Sequence, residues 1–286
     1  MTNTENKKPA KTPRVAMPCQ PADVRARNFK EVALGYSLEQ AQLEASRCLQ
    51  CKNPRCRQGC PVEVRIPEFI AQVVKGDLAE AYRILKSTNS LPAVCGRVCP
   101  QENQCEGKCI LGVKGEPVAI GRLERFVADN AMKNPCVGLT ENDTCAITNP
   151  DLKVACIGSG PSSITVAGYL AARGIKVTVF EALHEPGGVL IYGIPAFRLP
   201  KDVVAAELDG LRHNNVEISR TNWVGGRTIS VQQPFLMRVT RPSSSASEPG
   251  CRSSSACPGE NLIGVFFRQR VPDPRQPWPR LRFPQL

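Results

Sequence analysis

The chain has 286 residues, 42% of them hydrophobic, which is enough for one large domain or two of ordinary size. Its net charge is +11, but the last 66 residues alone carry nine Arg against three acidic residues, and no Lys/Arg stripe is interleaved with aromatic side chains. This distribution argues against a nucleic-acid-binding protein.

The N-terminal stretch MTNTENKKPAKTPR is polar and basic, and it lacks the apolar segment of a secretory signal. No apolar run reaches the roughly 18 residues that a membrane-spanning helix needs. We therefore expect a cytoplasmic protein. In a reducing compartment its 14 cysteines are expected to bind metal rather than to form disulfides.

Residues 1–40 are predicted to be an N-terminal extension of mixed polar character. A helix is predicted near Ser37–Ala45, because Ser37 is a suitable N-cap and Gln40 stands three residues later, as in a capping box.

Residues 41–135 are predicted to form a helical domain that carries cysteines in its loops. Two helices are expected between the cysteines, separated at Gly76-Asp77, where Asp77 can cap the second helix. Their apolar faces comprise Phe69, Ile70, Val73 and Val74 in the first helix and Leu78, Ala81, Ile84 and Leu85 in the second.

The cysteines of this domain form two groups of four, Cys48, Cys51, Cys56, Cys60 and Cys95, Cys99, Cys105, Cys109. Closely spaced thiolates suit iron–sulfur clusters, and a last cysteine followed by proline, as at Cys60 and Cys99, is typical of two-cluster ferredoxins. Only Cys48 and Cys51 have the CxxC spacing of a zinc knuckle. Structural zinc and unligated thiols remain the alternatives.

The other six cysteines show no such grouping: Cys19, Cys136, Cys145, Cys156, Cys251 and Cys257. Cys156 stands within a β run and is predicted to be a small buried hydrophobic residue.

Residues 136–150 are predicted to be a linker, and residues 151–231 to begin a nucleotide-binding domain. The order is a strand, KVACI, a turn, GSGPSS, a helix, ITVAGYLAAR, that ends at Gly174, and a second strand, KVTVF. Gly158 and Gly160 let backbone N–H groups meet a pyrophosphate, and Glu181, 23 residues after Gly158, is placed to bind a ribose hydroxyl. A tight turn without a ligand is the alternative.

Four segments together resemble one known family. They are RCLQCKNPRCRQGCP, CGRVCPQENQCEGKC, VACIGSGPSSITVAGYLAARGIKVTVFEA and GGVLIYGIPAFRLPK. The chain from about residue 25 to 231 resembles the small (β) subunit of bacterial glutamate synthase. Its relatives include the large subunit of NADH-dependent ferredoxin:NADP oxidoreductase, sulfide dehydrogenase subunits and the N-terminal part of dihydropyrimidine dehydrogenase.

The resemblance implies two [4Fe–4S] clusters and an FAD that NAD(P)H reduces. It implies that one cluster is held by Cys48, Cys51, Cys56 and Cys109, and the other by Cys60, Cys99, Cys105 and Glu124, with Cys95 as a non-ligand. It places Gly158, Gly160, Pro161, Ser162, Glu181, Gly188 and Leu190 at the FAD, with Ile194 and Pro195 near the isoalloxazine.

The family continues with a second dinucleotide turn for NAD(P)H, and residues 232–286 show no such turn. By composition this tail is predicted to be aberrant and disordered. Within it, PGENLIGVF again resembles the family, and FRQRVPDPRQ, back-translated and read one base later, gives the family-like SANEFLTRV. We therefore expect frameshifts at about residues 232–257 and 267–286, a hypothesis that resequencing tests. A truncated relative with a disordered tail is the alternative.

The predicted fold class is α plus α/β: a helical two-cluster iron–sulfur domain, then an incomplete Rossmann-like FAD-binding domain and an irregular tail. The predicted function is an FAD- and [4Fe–4S]-dependent NAD(P)H oxidoreductase that passes electrons to a large glutamate synthase subunit or another acceptor subunit. As printed, the chain is expected not to accept hydride from NAD(P)H. The alternatives are an iron–sulfur electron-transfer subunit without pyridine-nucleotide activity and a zinc-stabilised interaction module.

Overall fold

A computed structural model of the chain describes residues 13–133, 153–212 and 214–220. These residues divide into two compact units, one made of 13–133 with 190–212 and 214, the other of 153–189 with 215–220. The predicted linker, the predicted tail and four of the cysteines (Cys136, Cys145, Cys251 and Cys257) lie outside the described residues.

The first unit is built from short helices. Their bounds are α1 Ala22–Arg25, α2 Leu38–Ser46, α3 Arg55–Gln58, α4 Ile66–Lys75, α5 Leu78–Lys86, α6 Pro92–Val98 and α7 Ile120–Lys133, with α10 Lys201–Arg212 from later in the chain. Two 3₁₀ turns, Glu106–Lys108 and Ile110–Val113, precede α7. A four-residue helix, α9, spans Val189–Tyr192.

Local sequence signals explain where several helices begin and end. The Ser37 side chain accepts from the Gln40 N–H, and the Gln40 side chain accepts from the Ser37 N–H, so the predicted capping box is confirmed. Helix α4 ends at Gly76 in the left-handed conformation, and Asp77 caps α5 through the Glu80 N–H. The predicted break between the two helices is therefore confirmed.

The core of the first unit forms where α2, α4, α5 and α7 pack together. Its largest fully buried side chains include Phe69, Ile70, Leu85 and Leu123. The predicted apolar faces of α4 and α5 are buried, except that Leu78 is only partly buried and Val74 is 44% exposed. The prediction that the cysteines lie in loops is wrong for two of them. Cys56 lies within α3 and Cys95 within α6, which are short helices of one to two turns.

The second unit contains a three-stranded parallel sheet in the order β1-β2-β3. The strands are β1 Lys153–Ile157, β2 Lys176–Phe180 and β3 Val216–Ser219. The two predicted strands are thus confirmed, and Glu181 stands directly after β2. Cys156 is fully buried in β1, as predicted.

Helix α8, Pro161–Ala171, connects β1 to β2. It begins three residues earlier than predicted, because Pro161 occupies the first helical position, where proline is favoured. It also ends before Gly174, which adopts a left-handed conformation in the turn that follows. No described helix is long and apolar enough to cross a membrane.

Candidate iron–sulfur and dinucleotide sites

A cavity of about 90 Å³ in the first unit is lined by four thiols. They are Cys48, Cys51, Cys56 and Cys109, the set that the resemblance assigned to one cluster. The apolar side chains of Ile66, Ile70, Val118 and Ile120 line the same cavity. Helix α3 supplies Cys56, and Cys109 comes from the turn before Ile110, 53 or more positions from its partners in the chain.

These thiols disfavour one another's ionisation. The pKa of Cys56 is raised to about 11, chiefly by burial and also by the neighbouring Cys48, Cys109 and Cys51, although the Arg57 backbone N–H lowers it. The pKa of Cys48 is raised by burial first and then by Cys109 and Cys51. Because the thiolate is the form of cysteine that binds metal, a metal that enters this site displaces the thiol protons and offsets the repulsion between the thiolates.

A second group in the same unit combines three thiols with a carboxyl. Burial raises the pKa of Cys60, and Glu124 and Cys99 raise it further. Burial likewise raises the pKa of Cys105, with additional contributions from Glu106, Glu124 and Cys60. Cys60, Cys99, Cys105 and Glu124 therefore share one neighbourhood, separate from the four thiols that line the cavity.

Glu124 is the carboxyl of this second group, and it lies on α7 with 9% of its surface exposed. The pKa of Glu124 is raised to about 8, chiefly by burial and also by Cys99, whereas a hydrogen bond from Asn89 Nδ2 to Glu124 Oε1 (2.7 Å) lowers it. The other end of Asn89 accepts from the Leu91 N–H (3.0 Å). Asn89 thus orients both Glu124 and the start of α6. The sequence analysis did not identify this role of Asn89.

Cys95 also lies beside the second group, although the resemblance makes it a non-ligand. A hydrogen bond from Cys95 lowers the pKa of Cys99 to about 7 and raises the pKa of Cys95. The Cys95 Sγ also lies 3.6 Å from Asn89 Oδ1. Cys95 therefore contacts a predicted ligand from one turn earlier in α6.

The fit of the two groups to a metal depends on how closely their donor atoms approach one another. Four thiolates around one zinc ion lie only about 3.8 Å apart, because each is about 2.3 Å from the ion. Within 13–133, 153–212 and 214–220, no three His, Cys, Asp or Glu side chains converge on a single ion in this way. In a [4Fe–4S] cube each ligand binds a different iron, so thiols spread around a cavity fit a cube better than a single ion.

The glycine-rich turn of the second unit joins β1 to α8. Gly158 has a left-handed φ of 84° and donates its N–H to the Phe180 carbonyl (2.7 Å), which draws the turn to the end of β2. Gly160 precedes the first turn of α8 in an extended conformation, followed by Pro161 and Ser162. Ser163, where the third glycine of such motifs stands, is buried.

Glu181 is buried and holds this turn. Its Oε2 accepts from the Ser159 backbone N–H (2.8 Å) and from the Ser159 hydroxyl, and its Oε1 accepts from the Leu183 N–H (2.8 Å). The Ser159 Oγ in turn accepts from the Gly187 N–H (2.8 Å), next to the predicted Gly188. Three of the roughly four acceptor positions of the carboxylate are therefore taken by protein donors. Sequence reasoning did not single out Ser159.

The remaining predicted FAD residues, Leu190, Ile194 and Pro195, belong to the first unit. Lys201 Nζ donates to the carbonyls of Leu190 (2.8 Å) and Ile194 (2.5 Å), so this lysine fixes the loop that carries them. The pKa of Lys201 is lowered by burial. The sequence offered no signal for this role.

Two protein families match parts of the chain. Residues 25–136 match dihydropyrimidine dehydrogenase domain II, 4Fe-4S cluster, and residues 156–192 match the NAD(P)-binding Rossmann-like domain. The first match covers both groups of cysteines, and the second covers the glycine turn and Glu181. They confirm a 4Fe-4S domain followed by a Rossmann-like nucleotide-binding region.

Three relatives illustrate the similarity. The chain is 38% identical to the glutamate synthase [NADPH] small chain of Escherichia coli K12 over 212 residues, which cover 74% of this chain and 44% of that protein. It is 42% identical to the corresponding small chain of Halomonas elongata over 185 residues, 65% of this chain and 38% of that protein. It is 36% identical to the NAD-dependent dihydropyrimidine dehydrogenase subunit PreT of E. coli K12 over 194 residues, 66% of this chain and 45% of that protein.

The chain thus spans less than half the length of each of these relatives. Over the residues that match, the resemblance seen in the motifs is confirmed: the chain is a homologue of the glutamate synthase small chains and of related iron–sulfur oxidoreductases.

Proposed function

We propose that the chain is the electron-transferring part of an FAD- and [4Fe–4S]-dependent NAD(P)H oxidoreductase of the glutamate synthase small-subunit type. In this proposal it passes electrons to a partner subunit, the large glutamate synthase subunit or another acceptor, in the cytoplasm. The observation that carries the proposal is the separation of the sulfur-rich residues into two groups within one helical unit. Two centres that share a unit are suited to relaying electrons rather than to stabilising a fold alone.

The proposed ligands are the two sets of residues that the resemblance names, and the cavity lining and the mutual pKa effects of these residues support them. The first centre is held by the four cavity-lining thiols, Cys48, Cys51, Cys56 and Cys109. The second is held by Cys60, Cys99, Cys105 and Glu124, which influence one another's pKa. In chain order the ligands pass from the first centre to Cys60, back to Cys109 and again to Glu124, so the chain crosses between the centres three times.

The residues around the centres bind, orient and exclude water. The apolar side chains of Ile66, Ile70 and Ile120 shield the first group from solvent on the core side. With a pKa of about 8, Glu124 must give up a proton to become an anionic ligand near neutral pH, and Asn89 keeps its carboxyl in place. When bound, FAD exchanges a hydride with NAD(P)H and the clusters carry single electrons.

The residues proposed to hold FAD are Gly158, Gly160, Pro161, Ser162, Glu181, Gly188, Leu190, Ile194 and Pro195. Gly158 shapes the turn that leads into the N-terminus of α8 at Pro161, and a helix N-terminus favours a pyrophosphate. The match to this region is described for NAD(P), so the assignment to FAD rests on the resemblance.

A second candidate is an iron–sulfur electron-transfer subunit that uses no pyridine nucleotide. The observation that favours it is the state of Glu181, whose carboxylate already accepts three hydrogen bonds from Ser159 and Leu183. This arrangement stabilises the turn even without a nucleotide.

Analysis of the anaerobically purified protein tests both candidates. We expect about eight iron and eight acid-labile sulfide per chain, as two cubes require, together with one FAD and a broad absorbance near 400 nm. Iron and sulfide without flavin would support the second candidate, and zinc without sulfide would overturn both. Cys56→Ser is expected to lose about half the iron, whereas Cys19→Ser, an exposed thiol outside both groups, should retain all of it.

A further inference from the structure

The mouth of the four-thiol cavity is formed by Leu49, Arg55, Lys108 and Ile110, which we call the cavity rim. We propose that the cavity rim is the docking surface for an electron-accepting protein whose matching surface is acidic. This inference rests on the proposed function and names the side of the chain from which electrons leave. One electron would pass from the reduced first centre to the acceptor, with no bond formed or broken, and a chemical reductant such as dithionite would supply that electron.

The apolar part of the rim is exposed next to the thiols. Leu49 is 59% exposed and follows Cys48, and Ile110 is 51% exposed and follows Cys109. Exposed apolar residues are common singly, but these two line one cavity together with four predicted ligands. Exposed apolar residues at the centre of a surface and charged residues around them are the arrangement of a protein–protein interface.

The charged part of the rim is entirely basic. Arg55 and Lys108 are the charged side chains among the residues that line the cavity, and no acidic residue lines it. Lys52, which follows Cys51, is exposed beside them in the sequence. An acidic surface is therefore the complementary partner.

Several other cations of the first unit are neutralised by acidic partners. Arg14 pairs with Glu106, Arg47 with Glu44, and Arg97 and Arg125 both pair with Glu31 and Asp129. Within the part of the chain that the structure describes, neither Arg55 nor Lys108 forms an ion pair. The rim thus keeps its positive charge available to a partner.

A competing role for these cations is to offset the negative charge of a thiolate-bound cluster. That role would change the reduction potential of the isolated protein, but it would not distinguish an acidic acceptor from a basic one. Electrostatic steering by the rim would favour an acidic acceptor over a basic one, and this preference would weaken as the salt concentration rises.

The test compares two haem proteins as electron acceptors, the acidic soluble domain of cytochrome b5 and the basic cytochrome c. The full chain is reduced anaerobically with dithionite, freed of excess reductant and mixed with each cytochrome in a stopped-flow instrument. The variant Arg55→Glu/Lys108→Glu reverses the rim. The matched control, Arg25→Glu/Arg27→Glu, changes the same charge at exposed positions outside the cavity lining.

For cytochrome b5 we expect the second-order rate constant to fall about tenfold in the rim variant and to change little in the control. With the wild-type protein it should also fall as ionic strength rises from about 0.01 to 0.15 M, because the Debye length shrinks from about 30 to 8 Å. With cytochrome c the rim variant should not be slower.

Equal rates for the rim variant and the control, in proteins with full iron and sulfide, would overturn the docking surface while leaving the proposed function intact. A fall in rate with both cytochromes, together with a shifted potential, would assign the cations to the cluster and also overturn the inference. A wild-type protein without iron and sulfide would overturn the proposed function itself.

Discussion

At the residue scale, Glu44 joins parts of the first unit that are distant in the sequence. Its carboxylate is fully buried and accepts from the Val15 N–H (2.7 Å), the Ala119 N–H (2.8 Å) and Arg47 Nη1 (2.6 Å). One side chain thus ties the N-terminal segment and the entry to α7 onto α2. A glutamate on the inner face of a helix breaks the apolar pattern, which is the sequence signal that could have identified it.

We expect Glu44→Ala to lower the free energy of unfolding by about 3–5 kcal/mol, because Arg47 and two N–H groups would lose a buried partner. Urea unfolding followed by circular dichroism measures this effect. Glu68→Ala, an exposed position in the first turn of α4, is the control and should cost no more than about 1 kcal/mol. Equal losses for the two variants would contradict the assigned role of Glu44.

Glu207 is a second buried carboxylate, located on α10 and 3% exposed. Its Oε1 accepts from the Ala93 N–H (2.7 Å) at the start of α6, a helix without a side-chain cap of its own, and its Oε2 lies 3.8 Å from Lys86 Nζ. Glu207 therefore supplies from another helix the acceptor that the N-terminus of α6 lacks.

The environment of Glu207 makes its contribution to stability pH-dependent. Burial raises its pKa above 4.5, although Lys86, the Ala93 N–H and Arg97 lower it; the facing groups are Lys86, Arg97, Asp129, Tyr82 and Glu124. A raised folded-state pKa means that the folded protein binds the proton more tightly than the unfolded chain. The associated stabilisation is complete below pH 4.5 and is lost as the pH rises through the raised pKa.

We therefore expect the stability of Glu207→Gln relative to wild type to increase as the pH rises above 4.5, since glutamine keeps an acceptor for Ala93 but carries no charge. Urea unfolding of both proteins across this pH range gives the difference directly. Asp209→Asn, at an exposed position of the same helix, is the control and should show a nearly constant difference. A constant difference for Glu207→Gln as well would sink the prediction.

At the element scale, α6 and α7 pack so closely that one position must be glycine. A Cβ atom at Gly96 would lie 2.6 Å from the Arg125 backbone nitrogen and 2.8 Å from its Cα. Helix α6 carries Cys95 and ends next to Cys99, and α7 carries Glu124. The close approach of the two helices thus brings the donors of the second group together.

Gly96→Ala is expected to destabilise the protein by about 1–3 kcal/mol, because the backbones of α6 and α7 must separate. It should also reduce the iron content, since the separation moves Cys99 away from Glu124. Gly210→Ala is a matched control on α10, where an added Cβ meets no atom within 4 Å. That control should be stabilised by up to about 1 kcal/mol and keep its iron. A fully loaded, equally stable Gly96→Ala protein would contradict this packing argument.

Patterns among neighbouring residues predicted the helices and strands well, whereas contacts between residues distant in the sequence were not predicted. The capping box of α2, the break at Gly76-Asp77 and the strands β1 and β2 depend on neighbouring residues, so their patterns are readable in one stretch. The roles of Glu44, Asn89 and Glu207 depend on contacts across 29 to 114 positions, for which no local pattern exists. The membership of residues 190–212 in the helical unit was missed for the same reason.

At the scale of the whole molecule, the order of the cysteines links the two proposed centres. Three residues of the first group precede Cys60 of the second, and Cys109 returns to the first group after Cys99 and Cys105. Neither centre can therefore be assembled from a contiguous segment. Because the thiols repel one another when ionised, the folding of this unit is expected to be coupled to metal binding.

We therefore expect removal of iron by a chelator under anaerobic conditions to loosen the first unit far more than the second. Hydrogen exchange measured by mass spectrometry should show strongly faster exchange in α3, at the end of α6 beside Cys99 and around Cys109, because the binding energy of the metal is part of the folding energy there. Exchange in β1 and β2 should change little, since these strands hold none of the proposed metal ligands. The Cys56→Ser protein serves as the control. Because it is expected to lack the first centre, chelation should change its hydrogen exchange less around Cys48, Cys51 and Cys109. Equally faster exchange in the sheet and in the helices would mean that the metal stabilises the whole chain as one cooperative unit.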